Sequence, residues 1–326
     1  MAQALPKVII HGGAGNSHGH KERLVMLRED LHSIVRQVYS KAEAGASARD
    51  CVVMGCRLME DSPHFNAGYG SVLQSDGQVR MSAGLMDGEA QRFSGIINAS
   101  RVQHPIDLAA YLQPFPDRVL SDLGAAELAR EMGLPPFDPI TDLRLKEWMH
   151  ERANNFQSAM AGVVSETIEA DMAPVPAGAE PRHGTIGVVV LDMQGNLAAG
   201  TSTGGKGLER LGRVSDSATA AGNYANSMAA VSCTGIGEDI VDECLAARIV
   251  VRVTDGMAIA NAFEKSFAEA LAHGRTFGAI ALSHRGEIAW GKTTEVLISA
   301  YHTGETLGDT LELDSDPLTG GFDGHD

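Results

Sequence analysis

Residues 183–205 read HGTIGVVVLDMQGNLAAGTSTGG and say more about the fold than any other stretch of the chain. Two runs of strand-forming residues, 186–191 and 197–199, are joined by a glycine-containing turn at 192–196, a pattern typical of a β-hairpin. Thr185 opens the first strand and Thr203 closes the second. Because the strands of a hairpin run antiparallel, we expect these two hydroxyl groups to be neighbours.

The segment before the hairpin, residues 171–184, contains three prolines and two glycines and little apolar surface. This composition predicts a flexible linker. A threonine at the start of a strand usually only fills the pleat. A flexible linker ending in Gly184-Thr185 instead suggests a cleavage site between these two residues. The new α-amine of Thr185 would titrate at about pH 7.7–8.0 and could act as the base for its own hydroxyl.

Further motifs accompany the hairpin along nearly the whole chain. They are HGGAG at 11–15, FNAGYG at 65–70, HGT at 183–185, TSTGG at 201–205, GRVSDS at 212–217 and SCTGIGE at 232–238. As a set they resemble the plant-type (type 2) L-asparaginase and isoaspartyl peptidase family of N-terminal-nucleophile (Ntn) hydrolases, which also includes glycosylasparaginase.

The secondary-structure pattern predicts an α+β protein with two strand-rich halves flanked by helices, which fits two stacked sheets between helical layers. Helices are predicted at 22–43, 47–62, 106–112, 125–132, 143–160, 238–253 and 256–273, and further strands at 7–10, 78–85, 94–99, 118–120, 229–234, 277–283, 287–290 and 295–300. The resemblance implies the Ntn αββα sandwich as a single domain over 1–326. Cleavage would divide it into an α subunit, 1–184, and a β subunit, 185–326, assembled as a homodimer of cleaved pairs.

Bulk composition fits an ordinary globular protein, with 44% hydrophobic and 21% charged residues. The net charge of −16 argues against nucleic acid as a partner. The four cysteines do not suggest a disulfide framework, and we expect buried free thiols. With no signal-peptide pattern and no apolar run of membrane-spanning length, a cytoplasmic location is expected and no membrane partner. The acidic residues 313–326 are predicted to be disordered.

Arg213 and Asp216 lie three residues apart in a glycine-rich loop. Such a pair can be a surface ion pair of little energetic value. It can also clamp an amino acid, with the Arg213 fork on the α-carboxylate and Asp216 on the α-ammonium. The resemblance implies the clamp. Ser215 and Ala218 depart from the glycine and proline that many relatives have there, which could alter what fits beyond the clamp.

Thr234 and Gly235 end a predicted strand and can be a simple strand-to-helix turn. They can also form an oxyanion hole from the Thr234 hydroxyl and the Gly235 N–H. The resemblance implies this second role, a hydrogen bond from Thr203 to the nucleophile, and Gly235 and Gly237 among the substrate-binding residues.

Two further residues near the hairpin are candidates. The resemblance implies that Asn66 positions the amine or a water molecule. His183 could be a base, but cleavage would remove it from the site, so we expect it to have no role in turnover.

No cofactor is expected for catalysis. The resemblance implies a structural sodium ion held by main-chain oxygens, in the loop that contains Met59, Glu60, Ser62, Phe65, Ala67 and Tyr69. Residues 200–206 also match the phosphate-loop pattern G-x-x-x-x-G-K, but Gly207 replaces the serine or threonine that would bind magnesium, and residues 208–213 form a poor first helical turn. The pattern therefore does not favour a nucleotide site.

These residues predict an amidohydrolase that attacks the side-chain amide of an aspartyl unit, either L-asparagine or a β-aspartyl dipeptide. The clamp recognises the aspartyl half that both substrates share, so it leaves the leaving group open. Alternatives are a glycosylasparaginase, a β-aspartyl-arginine or -lysine dipeptidase of cyanophycin breakdown, which needs a carboxylate near the leaving-group pocket, and an inactive binding homologue.

Overall fold

The computed structural model describes residues 5–15, 21–154, 184–311 and 318–323. The predicted linker, apart from Gly184, lies outside these ranges, as does His183. The helices are α1 Lys21–Glu43, α2 Ala48–Glu60, α3 Pro105–Tyr111, α4 Leu123–Glu131, α5 Asp142–Ala153, α6 Gly237–Glu243, α7 Leu245–Thr254 and α8 Ile259–Ala272. The strands are β1 Lys7–Gly15, β2 Met81–Asp87, β3 Arg92–Ala99, β4 Val119–Ser121, β5 Ile186–Leu191, β6 Leu197–Thr203, β7 Asn223–Ala225, β8 Ala229–Gly235, β9 Phe277–Ser283, β10 Ile288–Lys292, β11 Val296–His302, β12 Leu307–Asp309 and β13 Thr319–Phe322.

The described strands form two sheets. The first has eight strands in the order β12-β11-β1-β5-β6-β2-β3-β4, and the second has five in the order β13-β10-β9-β8-β7. Neighbouring strands are antiparallel, except that β3 and β4 run parallel. The predicted mixture of helices and two sheets is therefore confirmed.

The predicted hairpin is β5–β6, and its turn is held by one carboxylate. Asp192 accepts hydrogen bonds from the backbone N–H groups of Gln194 at 3.0 Å and Asn196 at 2.8 Å. Gly195 takes a positive φ of 85° that suits glycine. Ile186 pairs with Ser202, and the same register places Thr185 opposite Thr203. The local sequence thus sets the register that brings the two threonines together.

Alternation along the strands divides the core. In β5, Val188 packs in the cluster formed with α1 and α2, whereas Val189 belongs to a cluster shared by both sheets. A third cluster joins α7 and α8 to the second sheet and includes Val231 of β8. Because successive side chains point to opposite faces of a strand, Thr185 lies on the face of Val189 and Thr234 on the face that β8 turns toward the first sheet.

Two sequence predictions about the second half of the chain were wrong. The helix predicted over 238–253 is two helices, because Cys244 adopts a left-handed conformation with φ 46° and ψ 45° between α6 and α7. Cys244 is also exposed, unlike Cys51, Cys56 and Cys233, and all four are free thiols. An αL residue cannot continue a helix, and the apolar periodicity on either side conceals the break.

The tail is not disordered throughout. Residues 319–322 form β13, which pairs with β10 and places Phe322 with its ring centroid 5.5 Å from that of Trp290. Gly320 passes so close to the Trp290 indole that a Cβ would lie 2.7 Å from it. The acidic composition predicted disorder, but two glycines and one aromatic residue supply a strand that can cover the indole.

Candidate active site

The predicted site residues meet at one end of the two sheets. Thr185 precedes β5 and Thr203 ends β6. Thr234 is the last residue but one of β8, just before the connection to α6. All three side chains are buried, with 7%, 1% and 0% of their surface exposed. Sequence-distant strand ends thus converge on the Gly184–Thr185 peptide.

The two hairpin threonines are in direct contact. Thr185 Oγ1 donates to Thr203 Oγ1 over 3.2 Å, and Thr203 Oγ1 in turn accepts from the Gly205 N–H at 3.0 Å. Thr203 therefore has a fixed rotamer beside the candidate nucleophile. The neighbourhood predicted from the hairpin is confirmed.

The Thr234 hydroxyl lies beside the candidate cleavage site without a partner. Its Oγ1 is buried and has no hydrogen-bond partner among the described residues. It lies 3.1 Å from the position that a Cβ on Gly184 would occupy. On the other side, a Cβ on Gly13 would lie 2.5 Å from the Gly184 nitrogen. An unpaired buried hydroxyl is costly, so this oxygen is available to a group that forms there during reaction.

Gly235 follows Thr234 with a φ of 132°. A Cβ at this position would lie 2.5 Å from the Phe277 Cα and 2.7 Å from the Thr276 carbonyl oxygen. Only glycine fits both the backbone conformation and the close approach of β9. The end of β8 is thereby packed tightly against the start of β9.

Arg213 and Asp216 converge on one point above Gly237. A Cβ on Gly237 would lie 2.5 Å from Arg213 Nη2 and 2.6 Å from Asp216 Oδ1. The two side chains do not form an ion pair with each other in the described structure. A cationic and an anionic group thus lie side by side against Gly237, where any other residue would clash with them, and this is the pairing that the clamp prediction needs.

Asp216 is unusual because it is 3% exposed and its Oδ2 has no hydrogen-bond partner among the described residues. Burial raises its pKa from 3.8 to about 6, although Arg213 and the Ser215 hydroxyl act in the opposite direction. Desolvation disfavours the charged carboxylate. A bound ammonium group would offset that cost and would satisfy Oδ2.

Glu238 was not predicted, yet it is the partner of Arg213. Arg213 Nε donates to Glu238 Oε1 at 2.9 Å and Arg213 Nη2 donates to Oε2 at 3.1 Å, a bidentate pair. Lys206 Nζ also donates to Oε1, at 3.1 Å. Burial acts to raise the Glu238 pKa, but the hydrogen bonds from Arg213 and Lys206 outweigh it and lower the pKa to about 2. The one signal in the sequence was an acidic residue directly after Thr-Gly-Ile-Gly.

Asn66 lies next to the loop that follows Thr203, and in the described structure its side chain makes hydrogen bonds to Gly205 and Val72 and none to Thr185. Its Nδ2 donates to the Gly205 carbonyl at 2.6 Å, and its Oδ1 accepts from the Val72 N–H at 3.0 Å. The Gly204 N–H donates to the Asn66 carbonyl at 2.9 Å. In the uncleaved chain the Asn66 side-chain N–H and main-chain carbonyl therefore hold the backbone that follows Thr203, and its side-chain oxygen holds Val72.

A buried polar network behind the threonines was also missed by sequence reasoning. His11 Nε2 lies 2.9 Å from Ser232 Oγ, which lies 2.7 Å from Thr201 Oγ1, and all three residues are 0% exposed. Burial lowers the pKa of His11 to about 3, with the Thr185 backbone acting in the opposite direction. The three residues lie on β1, β8 and β6. Each stands two residues before a residue of the site: His11 before Gly13, Ser232 before Thr234, and Thr201 before Thr203. Its members are spread over three strands, so no sequence motif revealed it.

The two positions that depart from many relatives belong to a short 3₁₀ turn, Asp216–Ala218: Ser215 is its N-cap and Ala218 is its last residue. The Ser215 hydroxyl accepts from the Ser217 N–H at 3.3 Å and lies 3.3 Å from Asp216 Oδ1. A glycine could make neither contact. Ser215 thus caps the turn that carries Asp216 and supplies a hydrogen bond to its carboxylate.

The predicted sodium loop is folded tightly enough to gather main-chain oxygens. A Cβ on Gly68 would lie 2.2 Å from the Glu60 carbonyl oxygen, and one on Gly70 would lie 2.6 Å from that of Phe65 and 2.8 Å from that of Pro63. The Glu60 carbonyl already accepts from the Tyr69 N–H at 2.7 Å. Uncharged oxygens around two glycines fit a sodium ion better than a transition metal. Within the described ranges, no three His, Cys, Asp or Glu side chains gather as a metal site.

The part of the chain that the structure describes includes no helix that is long and apolar enough to cross a bilayer. The helical condition for a nucleotide loop is also unmet, because the segment after β6 runs without helix to the 3₁₀ turn at Asp216–Ala218 within the described range 184–311.

Comparison with known proteins agrees with the geometry. A sequence model of the family described as asparaginase matches residues 4–312. Over 312 residues the chain is 59% identical to the isoaspartyl peptidase/L-asparaginase of a Nostoc species, covering 96% of each protein. It is 36% identical over 313 residues to the isoaspartyl peptidase of Escherichia coli, covering 92% of this chain and 94% of the relative. It is 34% identical over 298 residues to the plant-type L-asparaginase of Pyrococcus abyssi, covering 90% of this chain and 95% of the relative. The chain therefore belongs to the asparaginase family that its motifs resemble.

Proposed function

We propose that this protein is an amidohydrolase that cleaves itself between Gly184 and Thr185 and then hydrolyses the side-chain amide of L-asparagine and of β-aspartyl dipeptides. The names of the relatives support the reaction class. The observation that carries the proposal is the 3.2 Å hydrogen bond between Thr185 and Thr203 beside the unpartnered Thr234 hydroxyl. This arrangement provides a nucleophile, a group that orients it and a donor for a developing oxyanion.

In the cleavage step, Thr185 Oγ1 attacks the Gly184 carbonyl carbon and the peptide nitrogen leaves as the amine of Thr185. The ester that results is hydrolysed by water, which frees the Gly184 carboxylate. The Thr234 hydroxyl lies 3.1 Å from the position of a Cβ on Gly184, and we expect it to donate to the oxyanion that forms on this residue. The close packing of Gly13 on the Gly184 nitrogen restricts how this peptide can move.

In turnover, the free amine of Thr185 takes the hydroxyl proton as Oγ1 attacks the side-chain carbonyl of the substrate. Arg213 binds the α-carboxylate of the aspartyl unit, and Asp216 binds its α-ammonium group. The oxyanion accepts from Thr234 and from the Gly235 N–H. Collapse expels ammonia or an amino acid and leaves a β-aspartyl ester on Thr185, from which water releases aspartate.

Self-cleavage is tested by intact mass and N-terminal sequencing of the purified protein. We expect a fragment that begins Thr-Ile-Gly-Val in the wild type and a single full-length chain in Thr185→Ala. Thr185→Ser is the matched control, since it keeps the hydroxyl and should still be cut, more slowly. An active wild type without a fragment starting at Thr185 would refute the proposal.

The reaction is tested with β-aspartyl-leucine and L-asparagine in parallel, by following released leucine and ammonia. Hydrolysis of at least one is expected, and it should disappear in Thr185→Ala. A folded, cleaved protein that hydrolyses neither would instead favour the inactive homologue. An N-glycosylated asparagine as the preferred substrate would favour a glycosylasparaginase.

An enzyme specialised for β-aspartyl-arginine or -lysine would need a carboxylate near the clamp that is free to bind the cationic leaving group. Glu238 is the carboxylate that contacts the clamp arginine, but Arg213 and Lys206 both hold it. A carboxylate shared by two cations has little negative potential left for a third. The geometry therefore favours neutral or acidic leaving groups over arginine and lysine, and a rate panel of β-aspartyl dipeptides tests this preference.

The finer architecture belongs to the same proposal. The three core clusters support an αββα sandwich of the Ntn type. We further propose a homodimer of cleaved pairs, tested by sedimentation velocity, and a structural sodium ion, tested by comparing unfolding in sodium chloride with choline chloride at equal ionic strength. A cytoplasmic location remains a prediction from the sequence.

A further inference from the structure

A second cationic group stands beside the aspartyl clamp. Lys206 is the third residue after Thr203, and its ammonium reaches the carboxylate that also holds Arg213. Resting on the proposed function, we propose that Lys206 binds the terminal carboxylate of the leaving amino acid and so makes the site selective for β-aspartyl dipeptides over asparagine.

The loop places Lys206 firmly at the mouth of the site. The residue before it, Gly205, donates to Thr203 Oγ1 at 3.0 Å and accepts from Asn66 Nδ2 at 2.6 Å. Gly205 has a φ of 87°, and a Cβ there would lie 1.9 Å from the carboxylate of the buried Glu209. The backbone is thus anchored to the candidate catalytic threonines on one side and packed on Glu209 on the other.

The spacing of the two cations suits a dipeptide. Lys206 Nζ and Arg213 Nε both lie on Glu238 Oε1, at 3.1 and 2.9 Å. They are therefore no more than 6.0 Å apart, the sum of those two distances. In a β-aspartyl dipeptide the two carboxylate carbons are separated by six covalent bonds, roughly 5–7 Å between bent and extended forms. The Nη1 end of Arg213, which remains for a substrate carboxylate, belongs to the same guanidinium as Nε, so when it binds one carboxylate of an extended dipeptide the other can reach Lys206.

Both cations keep hydrogen-bond donors while they hold Glu238. A lysine ammonium has three donors, and in the described structure one is used, on Glu238. Arg213 uses Nε and Nη2 on Glu238, which leaves the Nη1 end of its guanidinium for a second carboxylate. Glu238 therefore orients both cations, and each cation keeps hydrogen-bond donors that a substrate can use.

Lys206 also sets the charge balance of the site. Arg213 and Lys206 carry two positive charges against the two carboxylates of Asp216 and Glu238, so without Lys206 the four-residue group would be net negative and would repel a second substrate carboxylate. A β-aspartyl dipeptide carries two carboxylates and one ammonium group. Asparagine carries one of each, and its leaving group is ammonia, which has nothing for Lys206 to bind.

The test compares three substrates: β-aspartyl-leucine, β-aspartyl-leucinamide and L-asparagine. The amide removes only the terminal charge. We expect the wild type to lose about three- to tenfold in kcat/KM from the acid to the amide, as a partly exposed ion pair allows. In Lys206→Met this loss should shrink to less than twofold, and the ratio of dipeptide to asparagine kcat/KM should fall by the same three- to tenfold.

Two further variants separate this role from a general charge effect. Lys206→Arg keeps the charge and should keep the discrimination. Arg210→Met removes one exposed positive charge from the same loop and should leave the acid-to-amide ratio at the wild-type value. The wild-type ratio should also shrink in high salt, because a partly exposed pair is screened.

The outcomes are distinct. A wild type that hydrolyses both dipeptides equally well, or a Lys206→Met variant that keeps the full discrimination, would overturn the role of Lys206 and leave the proposed function intact. A cleaved wild type that hydrolyses none of the three substrates would overturn the proposed function itself.

Discussion

Asp216→Asn should stabilise the protein at neutral pH while it weakens substrate binding. The carboxyl of Asp216 is 3% exposed, its Oδ2 has no hydrogen-bond partner in the described ranges, and burial raises its pKa from 3.8 to about 6. Burying a carboxylate with one oxygen unpartnered costs stability, and such a cost is typical of functional sites. Asparagine keeps the shape of the side chain and removes the charge.

The size and sign of the effect follow from the two pKa values. Because the folded-state pKa is raised, the carboxyl contributes stability that is fully present below pH 3.8 and is lost as pH rises through about 6. At about 1.4 kcal/mol per pH unit, the interval between these values corresponds to about 3 kcal/mol. The variant should therefore exceed the wild type in free energy of unfolding by up to about 3 kcal/mol above pH 7, and by little near pH 4.

The measurement is urea unfolding at a series of pH values, followed by tryptophan fluorescence, in the uncleaved Thr185→Ala background. That background keeps the two halves of the protein in one chain during unfolding. Asp255→Asn, which removes an exposed carboxylate at the end of α7, is the matched control and should show no gain that grows with pH. In the cleaved enzyme, Asp216→Asn should raise KM by about 10- to 100-fold, the cost of losing a hydrogen bond to a charged group.

A stability difference between Asp216→Asn and its parent that stays flat from pH 4 to pH 8 would refute the reasoning. Such a result would mean that Asp216 is solvated or paired in solution. If the stability difference does not change with pH but KM is raised, Asp216 still binds the substrate and only the predicted cost of its burial is rejected.

Three other predictions concern the same end of the sheets. Thr234→Val should lower kcat on β-aspartyl-leucine by about 10²–10³-fold with little loss of thermal stability, because the hydroxyl it removes has no partner in the described structure; unchanged kcat would reject the oxyanion role. Gly235→Ala should be strongly destabilising, since its Cβ would lie 2.5 Å from the Phe277 Cα, whereas Gly195→Ala, also at positive φ but in open space, should cost only about 1 kcal/mol in the same unfolding assay. His11→Gln should make stability less sensitive to acid, because burial lowers the His11 pKa from 6.5 to about 3. The wild type should lose up to about 5 kcal/mol of unfolding free energy as pH falls through that interval. An unchanged acid profile of the variant would contradict this prediction.

Local sequence patterns were enough to predict the hairpin and the contact between its two end threonines. Alternating and apolar runs on either side of a glycine turn determine which residues of β5 and β6 face each other, so the contact between Thr185 and Thr203 followed from spacing alone. The same kind of local information located Thr234 at the end of β8. It failed at Cys244, where one left-handed residue divides a helix that has continuous apolar periodicity.

The sequence by itself determined most of the strands, the register of the hairpin, the family and the residue types of the proposed clamp. Only the tertiary structure decided that Arg213 and Lys206 share Glu238, that Asp216 is buried with an unpartnered oxygen, and that His11 reaches Ser232 across the sheets. Strand register depends on neighbours along the chain, which a sequence displays. The contacts of the site depend on how the ends of two sheets and the loop before α6 approach one another, and those distances are set by the packing of side chains far apart in the chain.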